Sequence, residues 1–402
     1  MSRKRILYIS GSLGLGHITR DLAIAKELRK RVSGLELFWL AAHPASILLK
    51  DEGENLLPEA EFYADDNKAA ESAGRSGFRL NLLTYLSSAM GEWKQNIKIF
   101  KQVITRKSFD VVVADEAYEI SVALEKGHVQ MDSPFVMIFD FIGNMSMDWN
   151  PVGRLMTYMW NREWAKCRSF YSNDKCTALF IGELEDVPDK KLGFFLPNAR
   201  KIAEEVCDFV GYVLPFEPVE YVDNSQIRAE LGYDDQPLIV CSIGGTSIGK
   251  DLLLLCGQAY TIIKHRIPDL RMVIICGPRL AAKSIDFPEG IEVKEYVPKL
   301  YRYFAACDIA VVQAGGTTTI ELTALRRPFL YFPLEGHFEQ QIHVSERLKR
   351  HGAGIRMNYK ETTPDDLVEA VIANLGKKVD YTEIPIDGAE KAADLISRLL
   401  QM

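Results

Sequence analysis

Nine short apolar runs punctuate the chain, most of them followed by helical spacing. "RILYIS", "LELFWLAA", "FDVVVADE" and "PFVMIFDFI" lie in the first half, and "PLIVCSI", "LRMVIICGP", "IEVKEYV", "DIAVVQAG" and "PFLYFPL" in the second. Buried strands alternating with helices predict an α/β fold built on doubly wound sheets. The series also restarts. "PLIVCSIGGTSIGKDLLLLCGQAY" repeats the strand, glycine turn and helix that open the chain in "RILYISGSLGLGHITRDLAIAKEL". At 402 residues the chain exceeds one ordinary core, so the repeat predicts two Rossmann-like domains, 1–215 and 216–402, facing each other across a cleft. They join near "GYVLPFEPVEYVDNS", whose two prolines interrupt helical periodicity. The last helix, "GAEKAADLISRLLQM", is free by its position to cross back over the first domain.

Composition narrows the function classes. A net charge of −7 argues against nucleic-acid binding through bulk electrostatics. Seven scattered cysteines without a C-x-x-C pair read as reduced core residues, not disulfides or zinc ligands. No run reaches transmembrane length, so the expectation is a cytoplasmic protein, at most peripheral at the inner face of a membrane.

Two glycine turns suit a diphosphate. In "GGTSIGKD", Gly244, Gly245, Thr246 and Ser247 form a turn before a helix, where free backbone N–H groups and the helix dipole favour anions. The same stretch carries G-x-x-x-x-G-K, but a phosphate loop needs Ser or Thr next for Mg²⁺, and Asp251 stands there. In "DIAVVQAGGTTTIELTALRRPFLYFPLEGHFEQQIH", Gly315 and Gly316 permit close backbone approach and Thr317 to Thr319 begin a helix. Glu321 follows less than two turns later, where a carboxylate suits bidentate hydrogen bonding to ribose hydroxyls. Past Pro333, the polar loop with His337, Glu339, Gln340 and Gln341 has the side chains that read sugar hydroxyls.

This second run resembles the donor-binding region of GT-B glycosyltransferases. It is most similar to the enzyme that adds N-acetylglucosamine to the lipid intermediate of peptidoglycan, and more loosely to the UDP-glycosyltransferase group. The family's Gly, its Ser or Thr three positions on and its Glu three after that are matched by Gly315, Thr318 and Glu321. Its proline-ended strand and glutamine pair are matched by Pro333, Gln340 and Gln341, and its first glycine loop, ending Gly-His, by Gly16 and His17. Plant and antibiotic members carry His where this chain has Gln313. The resemblance implies that Gly244 to Ser247 and Gly315 to Thr318 cradle the diphosphate. It implies that Glu321 holds the ribose, that Gln340 and Gln341 hold the donor sugar, and that the backbone around Val297 holds the base. It further implies an inverting, metal-independent transfer from a nucleotide sugar, expected to be UDP-linked, with no separate cofactor.

His17 follows the first glycine loop and opens a helix. A helix N-terminus disfavours imidazolium, which keeps a neutral base available to take the proton of an acceptor hydroxyl. The orienting carboxylate is expected to be Asp115, with Asp140 second; both end strand runs, and Glu116 follows Asp115 directly. The acceptor side is least legible. "AAESAGRSGFRLNLLTYLSSAMGEW" has no clean fold signal, and residues 145–171 are dense in Met, Trp, Tyr and Arg. Leu155, Met156, Met159 and Trp160 fit ordinary core packing as well as an adaptable binding surface or a shallow membrane contact, while Arg154, Arg162 and Arg168 keep a lipid-phosphate acceptor in view. Two rivals accompany the glycosyltransferase reading: a sugar-nucleotide epimerase of the same fold, and an NTP-binding protein using Gly244 to Lys250.

Overall fold

The computed structural model describes residues 3–11, 14–65, 68, 71, 82–147, 150–166 and 168–401, with backbone alone over 82–90. Residues 69, 70 and 72–81 of "AAESAGRSGFRLNLLTYLSSAMGEW", Ser12 and Leu13 of the first glycine loop, and Asp148, Trp149 and Cys167 lie outside the described residues. Two compact units divide the chain. Of the described residues, those up to 71, Leu82–Pro215 and Pro385 onward form the first; Phe216–Ile384 form the second.

The first unit is built on six parallel strands in the order β2-β1-β3-β4-β5-β6. They are β1 (Arg5–Ile9), β2 (Glu36–Leu40), β3 (Val111–Asp115), β4 (Phe135–Phe139), β5 (Cys176–Ile181) and β6 (Cys207–Gly211). Four match the apolar runs. β5 and β6 were not among them, because "CTALFI" mixes small and polar residues and "CDFVG" is a partly exposed edge. Successive side chains leave opposite faces of the sheet. Leu7, Val112 and Met137 therefore pack into one buried layer, and Ile6, Val113 and Ile138 into the other.

That second layer is closed by the helix Gly16–Arg31 and by the final helix, Gly388–Leu399, whose Ala392, Ala393 and Ile396 are fully buried there. Arg31 pairs with Asp394 between the two helices. The return requires a glycine: a Cβ on Gly388 would lie 2.6 Å from the Tyr212 carbonyl oxygen, whose acceptor position the Gly388 N–H uses at 3.1 Å.

The second unit repeats the plan in the order β12-β11-β10-β7-β8-β9, again all parallel. Its strands are β7 (Leu238–Ser242), β8 (Arg271–Ile275), β9 (Glu292–Lys294), β10 (Ile309–Gln313), β11 (Phe329–Phe332) and β12 (Ile355–Arg356). Five correspond to the predicted runs; the two-residue β12 is too short to carry a pattern. In each sheet the order reverses beside the first strand, β1 or β7, and ligands of open α/β sheets bind beyond the strands' carboxyl ends at such a reversal.

Candidate functional site

In the first unit, β1, β3 and β4 are neighbours, so their carboxyl ends bring His17, Asp115, Glu116 and Asp140 together. Gly11 makes room for this: a Cβ there would stand 3.0 Å from the Asp115 carbonyl oxygen and 3.4 Å from His17 Cγ. The centre of the cluster is Arg20, one turn after His17. Its Nε and Nη2 donate to the two oxygens of Asp115 at 2.7 and 2.5 Å, Nη1 donates to Asp140 at 2.8 Å, and Nη2 also donates to His17 Nδ1 at 2.8 Å. Asp115 Oδ1 lies 3.3 Å from the same Nδ1, and Glu116 Oε2 lies 3.6 Å from His17 Nε2. Glu116 takes a left-handed backbone, φ 51°, uncommon for a residue with a side chain. Its Oε1 accepts a hydrogen bond from the Tyr118 hydroxyl at 3.2 Å.

The acidic groups separate into two kinds. Burial pushes the Asp115 carboxyl up, but Arg20 and then His17 outweigh it and hold it at about 2. Asp140 is buried too, and Arg20 holds it far below the usual carboxylate range. Glu116 moves the other way, raised well above its ordinary value by burial and by the neighbouring Asp140. Beneath them Asp21, raised by burial and by Asp115, accepts from Tyr8 Oη at 3.0 Å and Ser10 Oγ at 2.5 Å. His17, Glu116 and Asp140 each bring one ligand-capable atom within 4.8 Å of the others. Arg20 is the cation already paired there, through Asp140 Oδ2 and His17 Nδ1.

Asp115 and Asp140 were both candidates to orient His17. Asp115 faces Nδ1, whereas Asp140 is tied to Arg20. Arg20 was not singled out. Its signal was a cation three residues after His17, on the same face of the helix.

The second unit gathers its own set. The turn Gly244–Ser247 leaves β7 with Gly244 at φ 80°. The helix that follows is Lys250–Arg266, so this turn does not sit at the helix N-terminus as expected. Ile248 and Gly249 intervene, and Gly249 is left-handed at φ 106°, where a Cβ would lie 2.6 Å from Gln313 Oε1. Gly277, after β8, packs against the turn so closely that a Cβ would stand 2.2 Å from the Gly244 carbonyl oxygen. Lys250 points away from the turn and donates to the Ser284 carbonyl oxygen at 3.3 Å, unlike a phosphate-loop lysine.

After β10, the helix Gly316–Ala324 starts at the glycine pair. Its first intrahelical bond runs from Thr319 N–H to Gly315 O at 3.1 Å, which leaves the amides of Gly316, Thr317 and Thr318 for another acceptor. Glu321 is 5 % exposed and its carboxyl has no hydrogen-bond partner among the described residues; burial alone pushes it up to about 8. Gln313 Oε1 is also buried without a partner.

The glutamine pair is largely engaged in shaping its own loop. Gln340 Oε1 accepts from Leu334 N–H at 2.8 Å, Gln341 Nε2 donates to Pro333 O and Leu334 O at 3.1 and 3.2 Å, and Gln341 Oε1 accepts from Arg356 at 2.6 Å. Gln340 Nε2 makes no hydrogen bond among the described residues. The Glu339 carboxylate reaches Gly316, where a Cβ would come within 3.5 Å of Oε1. Val297 lies half-buried beyond β9.

Residues 239–399 match the glycosyltransferase family 28 C-terminal domain. An uncharacterized glycosyltransferase of Methanopyrus kandleri is 26% identical over 195 residues, 48% of this chain and 54% of that one. The UDP-N-acetylglucosamine–N-acetylmuramyl-(pentapeptide) pyrophosphoryl-undecaprenol N-acetylglucosamine transferase of Carboxydothermus hydrogenoformans is 26% identical over 181 residues, 44% of this chain and 47% of that one. The chain spans about half the length of these two relatives. In three dimensions it is similar to the glycotransferase of kitacinnamycin, with a TM-score of 0.63, 17% identity, and 99% of this chain and 100% of that one covered. The two six-stranded Rossmann-like sheets are those of the GT-B fold, as the resemblance implied.

Proposed function

We propose that this GT-B glycosyltransferase, whose second half is a family 28 C-terminal domain, moves a sugar from a UDP-linked donor to an acceptor hydroxyl with inversion and without a metal. The observation that carries the donor assignment is Glu321: a buried carboxyl without a partner, on a helix whose first three amides are free for another acceptor. Two vicinal ribose hydroxyls supply the donors Glu321 lacks, and the amides of Gly316 to Thr318 suit the diphosphate. The UDP donor is supported by the name of the Carboxydothermus relative, and a lipid-linked acceptor met at the inner face of a membrane is the extension of that name. No described helix is long and apolar enough to cross a membrane.

The chemistry is a single displacement. The acceptor oxygen bonds to the anomeric carbon, the bond to the diphosphate oxygen breaks with its electron pair leaving on UDP, and the hydroxyl proton passes to His17. Preorganised amides take the charge that develops on the leaving group, a role a divalent ion fills elsewhere.

Calorimetric titration with UDP and ATP, each with and without Mg²⁺, tests the donor site. UDP binding that needs no Mg²⁺ is expected; ATP binding that demands Mg²⁺ and disappears in Lys250→Ala would overturn the reading in favour of the NTP-binding rival. His17→Ala should leave the UDP Kd within about twofold while slowing UDP release from a UDP-sugar by roughly 10²–10⁴.

A further inference from the structure

Glu116 is a glutamate on a backbone that suits glycine. It takes φ 51° directly after β3, and the turn is fixed on both sides: its N–H donates to the Ile138 carbonyl oxygen at 3.1 Å, and its own carbonyl oxygen accepts from Tyr118 N–H at 3.0 Å. A side chain in this left-handed region carries a strain that glycine does not, and such strain gathers at functional sites. The carboxyl is also held in one place. Oε1 accepts from the Tyr118 hydroxyl at 3.2 Å, and Oε2 stands 3.6 Å from His17 Nε2, the atom that faces an incoming hydroxyl. Asp115 is closed off from solvent, whereas the His17 and Glu116 side chains keep 12 % and 13 % of their surface exposed. A ligand arriving at the base therefore meets Glu116 as well.

Counting hydrogen atoms around this carboxyl shows what the ligand must bring. Asp140 gives Oδ2 to Arg20, and its buried Oδ1 has no partner among the described residues beyond the Glu116 carboxyl that it faces. Two carboxyls in contact hold one proton between them. Arg20 keeps Asp140 ionised, so the proton belongs to Glu116 and is directed at Asp140. With its proton given to Asp140 and one acceptor site given to Tyr118, Glu116 faces His17 as an acceptor. No donor among the described residues reaches that side, since 3.6 Å is beyond a hydrogen bond. A reacting hydroxyl has a single hydrogen, and that hydrogen goes to His17 Nε2. Only a second hydroxyl on the same ligand satisfies Oε2.

We propose that Glu116 selects the acceptor: Oε2 accepts a hydrogen bond from the hydroxyl next to the one that His17 deprotonates, so the acceptor presents two hydroxyls on adjacent carbons. Two oxygens held gauche on neighbouring carbons stand side by side, as Nε2 and Oε2 do. The inference rests on the reading of His17 as the base and adds which hydroxyls that base serves. Glu116 takes part in recognition, not in proton transfer; no bond to it forms or breaks, and the reacting proton still passes to His17. A lone alcohol, or water, leaves Oε2 facing a ligand without a donor. A site built to pair with a hydroxyl rejects the analogue that lacks it, because its own buried group is then left unpaired.

The vicinal cis-diol of cyclohexane and plain cyclohexanol, titrated separately into the full chain without nucleotide, test this directly, with nitrogen-15 spectra of the histidines as the readout. The diol should move the His17 signals to saturation with an affinity roughly tenfold or more above that of cyclohexanol. Glu116→Gly suits the left-handed backbone and removes the carboxyl, so it should bring the two affinities within about twofold of each other. If that variant fails to fold, Glu116→Asn serves in its place, since asparagine tolerates the same backbone and is one methylene too short to reach the ligand. A diol that leaves the His17 signals unmoved, or that binds no better than cyclohexanol, would overturn the proposal. So would a diol preference that survives in the folded variant. Because no nucleotide is present, failure here leaves the donor site standing, and a chain that prefers the diol but binds no UDP loses the donor reading alone.

Discussion

With Glu321 as the proposed ribose-binding group, nucleotide binding becomes a proton-linked event with a definite sign. With its pKa pushed up to about 8, the unliganded carboxyl is mostly protonated at neutral pH. Two ribose hydroxyls donating together require the ionised form, so binding expels the proton. Affinity for a UDP-sugar should therefore climb with pH and level off above 8. The ionised fraction is roughly one in a hundred at pH 6 and one in two at pH 8, an affinity gain of roughly 50-fold, or about 2.3 kcal/mol. A UDP-sugar is the right probe, because its diphosphate is esterified at both ends, whereas the terminal phosphate of UDP titrates near 6 as other phosphomonoesters do. Calorimetry in two buffers of different ionisation enthalpy reads the released proton directly. Glu321→Gln keeps the shape and should flatten the profile. The unliganded protein gives a second reading: a raised acid stabilises the fold below its unfolded pKa of about 4.5, and that stability is lost as pH rises through 8. Wild type should thus lose stability relative to Glu321→Gln across this window. A flat wild-type affinity from pH 6 to 8.5, or a slope that survives in Glu321→Gln, would refute the assignment.

Two further outcomes follow from packing and charge. Gly277→Ala places a methyl 2.2 Å from the Gly244 carbonyl oxygen at a left-handed position, so it should cost about 1–3 kcal/mol in urea unfolding and weaken UDP binding at least tenfold by moving the turn. Arg20→Met leaves Asp115 and Asp140 buried without their cation and should destabilise the first unit by about 3–5 kcal/mol at pH 7. Asp115, lowered to about 2, contributes stability above its unfolded pKa of 3.8 that is lost as pH falls through 2, so the deficit of Arg20→Met should shrink in that acid window.

The sequence disclosed the two sheets because β1, β3, β4 and most second-unit strands are buried on both faces and read as unbroken apolar runs. It placed His17 near Asp115 because strand ends in a parallel sheet share one edge. Residues whose role is fixed by a distant neighbour stayed hidden. Gly277 looks like any loop glycine until Gly244 is laid against it. Leu155 and Met159 illustrate the same limit from the other side, since helical spacing marks a stripe without saying whether anything covers it.

The hydrogen bonds around His17 constrain how it would serve as the proposed base. A guanidinium has no lone pair, so the 2.8 Å contact with Arg20 uses the lone pair of Nδ1 and assigns the ring proton to Nε2. The 3.3 Å approach of Asp115 to the same atom calls for the opposite tautomer, with the proton on Nδ1. Only that second form has a lone pair on Nε2 for an incoming hydroxyl, yet the shorter contact belongs to the first. Arg20 still holds Asp115 by two bonds and Asp140 by a third when the Nδ1 contact is given up, so the exchange breaks one interaction in four. Asp115 then becomes the acceptor that fixes the base tautomer, and an acceptor hydroxyl at Nε2 takes the place Glu116 faces from 3.6 Å. Nitrogen-15 spectra of the histidines should accordingly show His17 of the unliganded protein protonated at Nε2, with the proton on Nδ1 gaining population when an acceptor is bound. An unliganded ring already protonated at Nδ1 would mean that Asp115, not Arg20, controls the resting state, and that no tautomer exchange precedes the transfer.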